Sequence, residues 1–173
     1  VPAGSRGVIF TPWLNGAKTP VEDPYLRGGF HNISLTTTMD CFIRAVMEGV
    51  AFNSRWILQY VEKFVKRRLD PLNIIGGGAR SRTWCQVYAD ILGRTIRLVK
   101  DPALANARGA AFIASVALGH IRFDDIPDII RFSETFEPNP QNKRLYDELF
   151  KEFVQIYKKN KSIYRRLNRS RRP

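Results

Sequence analysis

The feature of the sequence that most constrains its fold is an apolar run that ends in three glycines and a capped amphipathic stretch. Residues 72–75 are apolar except for one asparagine, a composition typical of a buried strand. Three glycines follow as a turn at residues 76–78. Ser81 then stands where a helix N-cap is expected, and apolar positions recur at helical spacing up to Gly93. The segment therefore predicts a strand, a tight turn and a helix in direct succession.

A second strand and helix repeat this order. Residues 95–99 predict a strand, and the dipeptide Asp101-Pro102 leads into a predicted helix over residues 103–118. Alternating strands and helices predict an α/β core with parallel pairing. One side of the second helix is nearly all alanine and glycine, so its backbone is closely approached. Two interpretations stay open: another helix or the sheet packs there, or a ligand lies near Asn106 and Gly109.

Two short strands and a long helix are predicted before this core. The strands fall within residues 8–10 and 28–33, and Thr37 or Thr38 caps a helix that runs to the basic residues 66–68. The positions predicted to be buried recur at three- and four-residue intervals: Phe42, Val46, Gly49, Asn53, Ile57, Tyr60 and Phe64. Asn53 is predicted to be a hydrogen-bonded core residue, with a ligand contact as the alternative.

The C-terminal part of the chain predicts a linker, a helix and a basic tail. Prolines between residues 127 and 140 indicate the linker. The helix that follows has an apolar stripe: Leu145, Leu149, Phe150, Phe153, Ile156, Tyr157 and Tyr164. From Lys158 onward there are eight basic residues and no acidic one, so this end carries most of the net charge of +12. The pattern favours a solvated tail or an acidic neighbour over specific nucleic-acid binding. We expect deletion of residues 168–173 to leave the thermal midpoint almost unchanged.

Composition argues against several classes of site. The two cysteines, Cys41 and Cys85, lie inside predicted helices, where buried thiols are the usual interpretation, and His31 and His120 are isolated, so we predict no metal site. No apolar run approaches the roughly 18 residues needed to cross a bilayer, and the first residues lack the order of a secretion signal. We expect a soluble, cytoplasmic chain without membrane contact, cut from a longer polypeptide.

The glycine turn is the strongest candidate for a binding site. Unshielded backbone amides and the positive end of a helix suit a nucleotide that lies across the turn. The turn lacks the third glycine of a dinucleotide fingerprint, and it lacks the Gly-Lys-Ser/Thr ending of a phosphate loop. For the nearby Arg80 and Arg108 we favour surface ion pairing, with phosphate contact as the alternative.

Three motifs in order resemble the FGGY family of carbohydrate kinases, and within it the xylulokinase branch. Residues 73–93 contain GGGARS followed by ADILG, residues 105–111 read ANARGAA, and residues 28–52 contain GGF followed by IRAVMEGVAF. The resemblance spans about residues 7–167. The sequence departs from the family pattern at Asn32, usually glycine, at Cys41, usually polar, and in the early loop, which reads GAKTP where GERTP is common.

The resemblance implies a ribonuclease-H-like lobe of the sugar kinase, actin and heat-shock ATPase superfamily, with a C-terminal helical extension. Residues 1–126 would form the nucleotide-binding lobe, and residues 127–173 the linker, helix and basic tail. The whole enzyme would use ATP with Mg²⁺ to phosphorylate a sugar or polyol, xylulose being the best match. The nucleotide-binding residues that the resemblance implies are Gly76, Gly77, Gly78, Ser81 and Asn106.

The resemblance also implies that this chain alone is inactive. Phosphoryl transfer needs an acceptor base and groups around the phosphates, and in this family both precede the part that the chain matches. We therefore name no catalytic residue, and we expect the N-terminal lobe of the same kinase as a partner, with a homodimer left open. The alternative is a non-catalytic binding or regulatory module that uses its basic tail on nucleic acid or acidic partners.

Overall fold

A computed structural model describes residues 1–169 of the chain. Its helices are α1 (Met39–Val65), α2 (Arg82–Leu92), α3 (Ala105–Ala117), α4 (Ile126–Ile129) and α5 (Lys143–Asn168). Its strands are β1 (Ile9–Thr11), β2 (Gly29–His31), β3 (Leu72–Ile74), β4 (Ile96–Val99) and β5 (Phe132–Phe136). Short 3₁₀ turns connect several of them, at Ser5–Gly7, Gly77–Arg80, Pro102–Leu104, Phe123–Asp125 and Pro140–Asn142.

The strands form two small sheets. β1 and β2 pair antiparallel, with Phe10 opposite Phe30, and the order of the second sheet is β3-β4-β5. β3 and β4 are parallel, as predicted, and α2 connects them. β5 pairs antiparallel with β4, so the segment predicted to be only a linker also contributes an edge strand. The proposed division of the chain at residue 126 stays a prediction.

The backbone conformation of Asn32 explains one departure from the family pattern. Asn32 has φ +62°, the left-handed region that glycine enters freely and that asparagine tolerates better than most residues. Its Nδ2 donates to the carbonyl of Gly7 over 3.1 Å. Asparagine therefore meets the conformational demand at this position and adds a hydrogen bond between the two N-terminal loops.

The core is built from aromatic side chains of α1 and α5. Phe153 is fully buried, with its ring centroid 5.7 Å from that of Phe52 and 5.2 Å from that of Trp13. Burying one such ring contributes about 2 kcal/mol. Asn53 accepts a hydrogen bond from Trp13 Nε1 over 3.1 Å, which confirms the prediction of a hydrogen-bonded polar residue beside this core.

The predicted buried stripe of α1 is wrong in its C-terminal half. Tyr60 is 53% exposed and Phe64 is 87% exposed. The buried residues of the helix are Cys41, Ala45, Glu48, Gly49, Ala51, Phe52, Trp56 and Leu58. The helix is apolar on more than one face, and the described elements cover the face that meets β1, α2 and α5. Apolar side chains near its C-terminal end are left uncovered.

A buried carboxylate joins the two ends of the chain. Glu48, 1% exposed, accepts hydrogen bonds from Gly4 N, Ser5 Oγ, Arg44 Nε and Tyr146 OH at 2.7–2.9 Å. Burial, reinforced by the negative charge of Glu48, raises the pKa of Tyr146, so this phenol is a neutral donor. All four donors are needed because a buried carboxylate is costly unless it is fully hydrogen-bonded.

The predicted dispensability of residues 168–173 conflicts with the structure at Asn168. That side chain is buried, and its Nδ2 donates to the carbonyls of Tyr25 and Tyr164, both at 3.0 Å. A side chain that ties the last turn of α5 to the loop before β2 is part of the fold. Residues 170–173 lie outside the described part of the chain.

The structure also describes the cysteines, the apolarity of the helices and the grouping of possible metal ligands. Cys41 and Cys85 are both free and buried, which confirms the interpretation as core thiols. Among residues 1–169, none of the helices combines the length and the apolarity that crossing a membrane requires. The same residues contain no group of three or more His, Cys, Asp or Glu side chains arranged to hold a metal ion.

Candidate functional site

The candidate site begins where β3 ends, at a turn formed by residues 76–80, hereafter the glycine turn. Gly76 has φ +88° and ψ −177°, a combination that only glycine adopts without strain. Its amide donates to the carbonyl of Pro102 over 2.8 Å. At the far end of the turn, Ser81 Oγ accepts from Trp84 N over 3.2 Å and caps α2, as predicted. The turn is thus fixed at both ends.

The two central glycines of the turn differ in their surroundings. A Cβ on Gly77 would meet no atom within 4 Å, whereas a Cβ on Gly78 would lie 2.8 Å from Cζ3 of Trp84. The indole of Trp84 is held in place because its Nε1 donates to the carbonyl of Met47 over 3.1 Å. Gly78 therefore rests on a fixed ring, and Gly77 presents bare backbone to open space.

A second turn, formed by residues 101–104 and hereafter the aspartate turn, follows β4 and lies against the glycine turn. Asp101 is left-handed, with φ +51° and ψ +60°, although it precedes a proline. This conformation costs on the order of 1–3 kcal/mol in a residue other than glycine, and proline restricts its predecessor further. The amide of Leu104 donates to the carbonyl of Asp101 over 3.0 Å and closes the turn.

Both turns stand at the carboxyl ends of parallel strands. In open α/β sheets this edge is where ligands bind. The hydrogen bond from Gly76 N to Pro102 O joins the two turns into one surface. The structure therefore brings Gly76, Gly77, Gly78 and Ser81 together on the first turn, with the second turn beside them.

Asn106 lies in the first turn of α3, directly after the aspartate turn, and its side chain is exposed. α3 has no buried residue, and a Cβ on Gly109 would meet nothing within 4 Å. Ala105 and Gly109 are half-buried, whereas Ala107, Ala110 and Ala114 are exposed. The described residues thus cover the small-residue side of α3 only in part, and both interpretations of that side stay open.

The two arginines near the site behave differently from each other. Arg80 is exposed at the end of the glycine turn. Arg108, half-buried on α3, donates from Nη2 to the carbonyls of Lys100 at 2.8 Å and Asp101 at 3.5 Å. No acidic side chain among the described residues forms an ion pair with Arg108. Arg80 likewise forms no ion pair with a described residue, so the predicted surface ion pair is wrong for both arginines, and Arg108 binds backbone instead.

Sequence reasoning missed the contribution of Trp84 and of the aspartate turn. The sequence pattern places Trp84 in the amphipathic stretch of α2, with no sign that its ring lies under the glycine turn, and Asp101-Pro102 is predicted only to lead into a helix. The sequence did contain a signal for the aspartate turn, since an aspartate before proline at the end of a strand is typical of a turn.

Comparison with known proteins decides the family. The model of the C-terminal domain of the FGGY family of carbohydrate kinases matches residues 1–118. This chain belongs to the FGGY family. A xylulose kinase of Staphylococcus epidermidis is 34% identical over 162 residues, which cover 92% of this chain and 32% of that protein. The chain thus spans about a third of the length of this FGGY relative.

Solved FGGY kinase structures share the fold. The ligand-bound xylulose kinase of Lactobacillus acidophilus superposes with a TM-score of 0.82 at 28% identity, covering 96% of this chain and 34% of that one. The gluconate kinase of the same organism gives a TM-score of 0.78 at 29% identity, with coverages of 96% and 34%. The predicted fold class, a lobe of the sugar kinase and actin type, is confirmed.

Proposed function

We propose that this chain is the adenosine-binding lobe of an ATP-dependent sugar kinase. The observation that carries the proposal is the hydrogen bond between Gly76 N and Pro102 O, which joins two turns at the carboxyl ends of β3 and β4. Bare backbone at Gly77 lets a flat adenosine approach closely, and the N-terminus of α2 adds positive potential. Asn106 would border the same surface from α3.

The proposed reaction transfers the γ-phosphate of ATP to a hydroxyl of a sugar. In this chain the described residues supply the turns that would hold and orient adenosine, and orientation contributes a large part of catalysis in phosphoryl transfer. Mg²⁺, when bound, would neutralise charge on the phosphates. The described residues do not offer a cluster of ligands suited to it, so we assign its ligands and the acceptor base to the N-terminal lobe.

Uncovered apolar surface supports an N-terminal lobe as the partner of this chain. A groove of about 440 Å³ lies between α1, α2 and the β3 side of the sheet, where no strand of the described residues pairs with the outer edge of β3. Its lining includes Ile57, Val61, Leu72 and Ile74. Exposed apolar patches of this kind mark interaction surfaces in soluble proteins. Since the chain spans about a third of the relatives that it matches, the remaining polypeptide is the natural occupant.

Xylulose is the proposed acceptor, and a location in the cytoplasm is proposed with it. Support for the acceptor comes from the relatives, which include several xylulose kinases but also a gluconate kinase. Fold alone does not fix a substrate.

The test is an acceptor screen with the full-length polypeptide. ADP release would be followed with ketoses, polyols and aldonates, and we expect the highest kcat/KM with xylulose. If gluconate gave the highest activity, the proposed acceptor would be wrong, but the proposal of a sugar kinase would stand. A folded full-length protein that neither releases ADP nor binds adenosine would overturn the proposal, and salt-sensitive DNA binding by that protein would favour the non-catalytic module.

A further inference from the structure

We propose that Arg108 is a positioning residue of the nucleotide site. Its guanidinium holds the aspartate turn in the shape that presents the Pro102 carbonyl to the amide of Gly76. This inference rests on the proposed function of the glycine turn. Arg108 would act on the ligand through backbone, without touching it.

The aspartate turn needs an external restraint because its conformation is strained. Asp101 combines a left-handed backbone with a following proline, and each of these disfavours the observed geometry. Strained residues persist where the surrounding structure determines them. Leu104 supplies one hydrogen bond from inside the turn, and Arg108 supplies the contacts from outside it.

The geometry of Arg108 suits this role better than that of another side chain. It reaches back from the first turns of α3 to two successive carbonyls, those of Lys100 and Asp101. Both contacts come from a single nitrogen, Nη2, and a charged donor makes stronger hydrogen bonds than a neutral one. The planar guanidinium presents its donors in a fixed orientation, whereas a lysine ammonium rotates and would hold the turn less firmly.

A chain of contacts links this restraint to the ligand surface. The Pro102 carbonyl, fixed by the aspartate turn, receives the amide of Gly76, which opens the glycine turn. If the restraint is lost, the aspartate turn relaxes toward an unstrained shape and the carbonyl moves away. The glycine turn then loses its link to β4 while its cap at Ser81 remains.

The experiment compares adenosine with ATP in the full-length kinase. We expect Arg108→Gln to weaken the binding of both by the same factor, about three- to tenfold, with Arg108→Lys in between. KM for ATP should rise by that factor, while KM for the sugar and kcat change less than about twofold. Arg144→Gln is the matched control, since Arg144 is exposed and, within residues 1–169, its ion pair is with Glu148 four residues on.

A second variant tests whether strain is the cause. Glycine adopts the left-handed conformation freely, so Asp101→Gly should restore adenosine affinity in the Arg108→Gln background to within about twofold of Asp101→Gly alone. If Arg108→Gln alone does not fold, adenosine binding is measured instead in Arg108→Lys and in the Asp101→Gly, Arg108→Gln double variant.

Three results would overturn the inference. They are an unchanged adenosine affinity in Arg108→Gln, a loss confined to ATP, which would indicate direct phosphate contact, and a failure of Asp101→Gly to restore binding. Different results would overturn the proposed function. These are a folded wild-type kinase that binds no adenosine, or a Gly77→Asp variant that binds it normally.

Discussion

The indole of Trp84 lies directly beneath Gly78, so that a Cβ at Gly78 would be 2.8 Å from Cζ3 of the ring. The three glycines of the turn are therefore constrained differently. Gly76 is required by its backbone angles and Gly78 by the ring below it. Gly77 meets neither constraint, since a Cβ there would meet no atom within 4 Å.

Gly78→Ala should destabilise the fold more than Gly77→Ala. The added methyl at residue 78 must displace a ring that is hydrogen-bonded through Nε1 to Met47, and such overpacking costs about 1–3 kcal/mol. At residue 77 the methyl enters open space, and we expect a change within about 0.5 kcal/mol. Urea unfolding of both variants measures the difference, and equal losses would contradict the placement of Trp84.

Gly77→Asp should abolish nucleotide binding in the full-length enzyme without unfolding it. The carboxylate would occupy the approach to the turn and repel the phosphates of ATP, while the backbone has room for it. Gly77→Asn is the matched control of equal size, and it separates bulk from charge. We expect Asn to weaken ATP binding less than Asp, as measured by calorimetry. Normal ATP affinity in folded Gly77→Asp would remove the turn from the site.

The succession of strands, turns and helices could be predicted from the sequence. Which faces are buried by elements distant in the chain could not. The succession from β3 through α3 and the cap at Ser81 depend on neighbouring residues, so pattern and turn chemistry found them. β5 was missed because its segment is bounded by prolines and because it pairs with β4, a strand that lies far from it in the sequence. The buried face of α1 depends on partners such as Tyr146, whose position no periodicity in α1 encodes.

The candidate site divides in the same way. The glycines were proposed as site residues because bare backbone after a strand suits a nucleotide and because the surrounding motif resembles that of the family. The role proposed here for Arg108 could not be predicted, because its acceptors are carbonyls, which carry no signature in the side-chain sequence. The same holds for the bond from Gly76 to Pro102.

Glu48→Gln should be among the most destabilising single changes that keep side-chain volume. The carboxylate accepts four donors, and an amide would turn its own NH₂ toward one of them and leave Arg44 without its counter-charge. We expect a loss of about 3–5 kcal/mol. Tyr146→Phe removes one donor of the four and the acceptor of Arg44 Nη2, and should cost about 2 kcal/mol. Chemical denaturation gives both values, and a neutral Glu48→Gln would show that the network is not fully formed.

The ion pair between Glu62 and Arg94 should make stability depend on pH at the acid end. Burial raises the pKa of Glu62, but hydrogen bonds from Arg94 and from Leu69 N, at 2.8 Å each, outweigh it and bring the pKa below its usual 4.5. The folded state thus favours the carboxylate. Its contribution is complete above pH 4.5 and is lost as the pH falls through the lower, folded-state pKa.

The variant that tests this is Glu62→Gln. We expect it to lower the free energy of unfolding by about 1 kcal/mol at pH 7, and the gap to the wild type should narrow as the pH falls below 4.5. Glu148→Gln, which breaks the exposed pair with Arg144, serves as the control and should change little. A gap that stays constant down to about pH 3 would contradict the assignment.

The position of Phe153 has a consequence for how the protein is made. The match to the family model ends at residue 118, by which point both parallel strands have been synthesised. Phe52 and Trp56 lie against Phe153 on α5, and Trp56 also meets Trp13. On the ribosome these two rings therefore lack part of their cover until α5 emerges. Domains tend to fold as units during synthesis. The part of the core between α1 and α5 would therefore close only after α5 has left the exit tunnel.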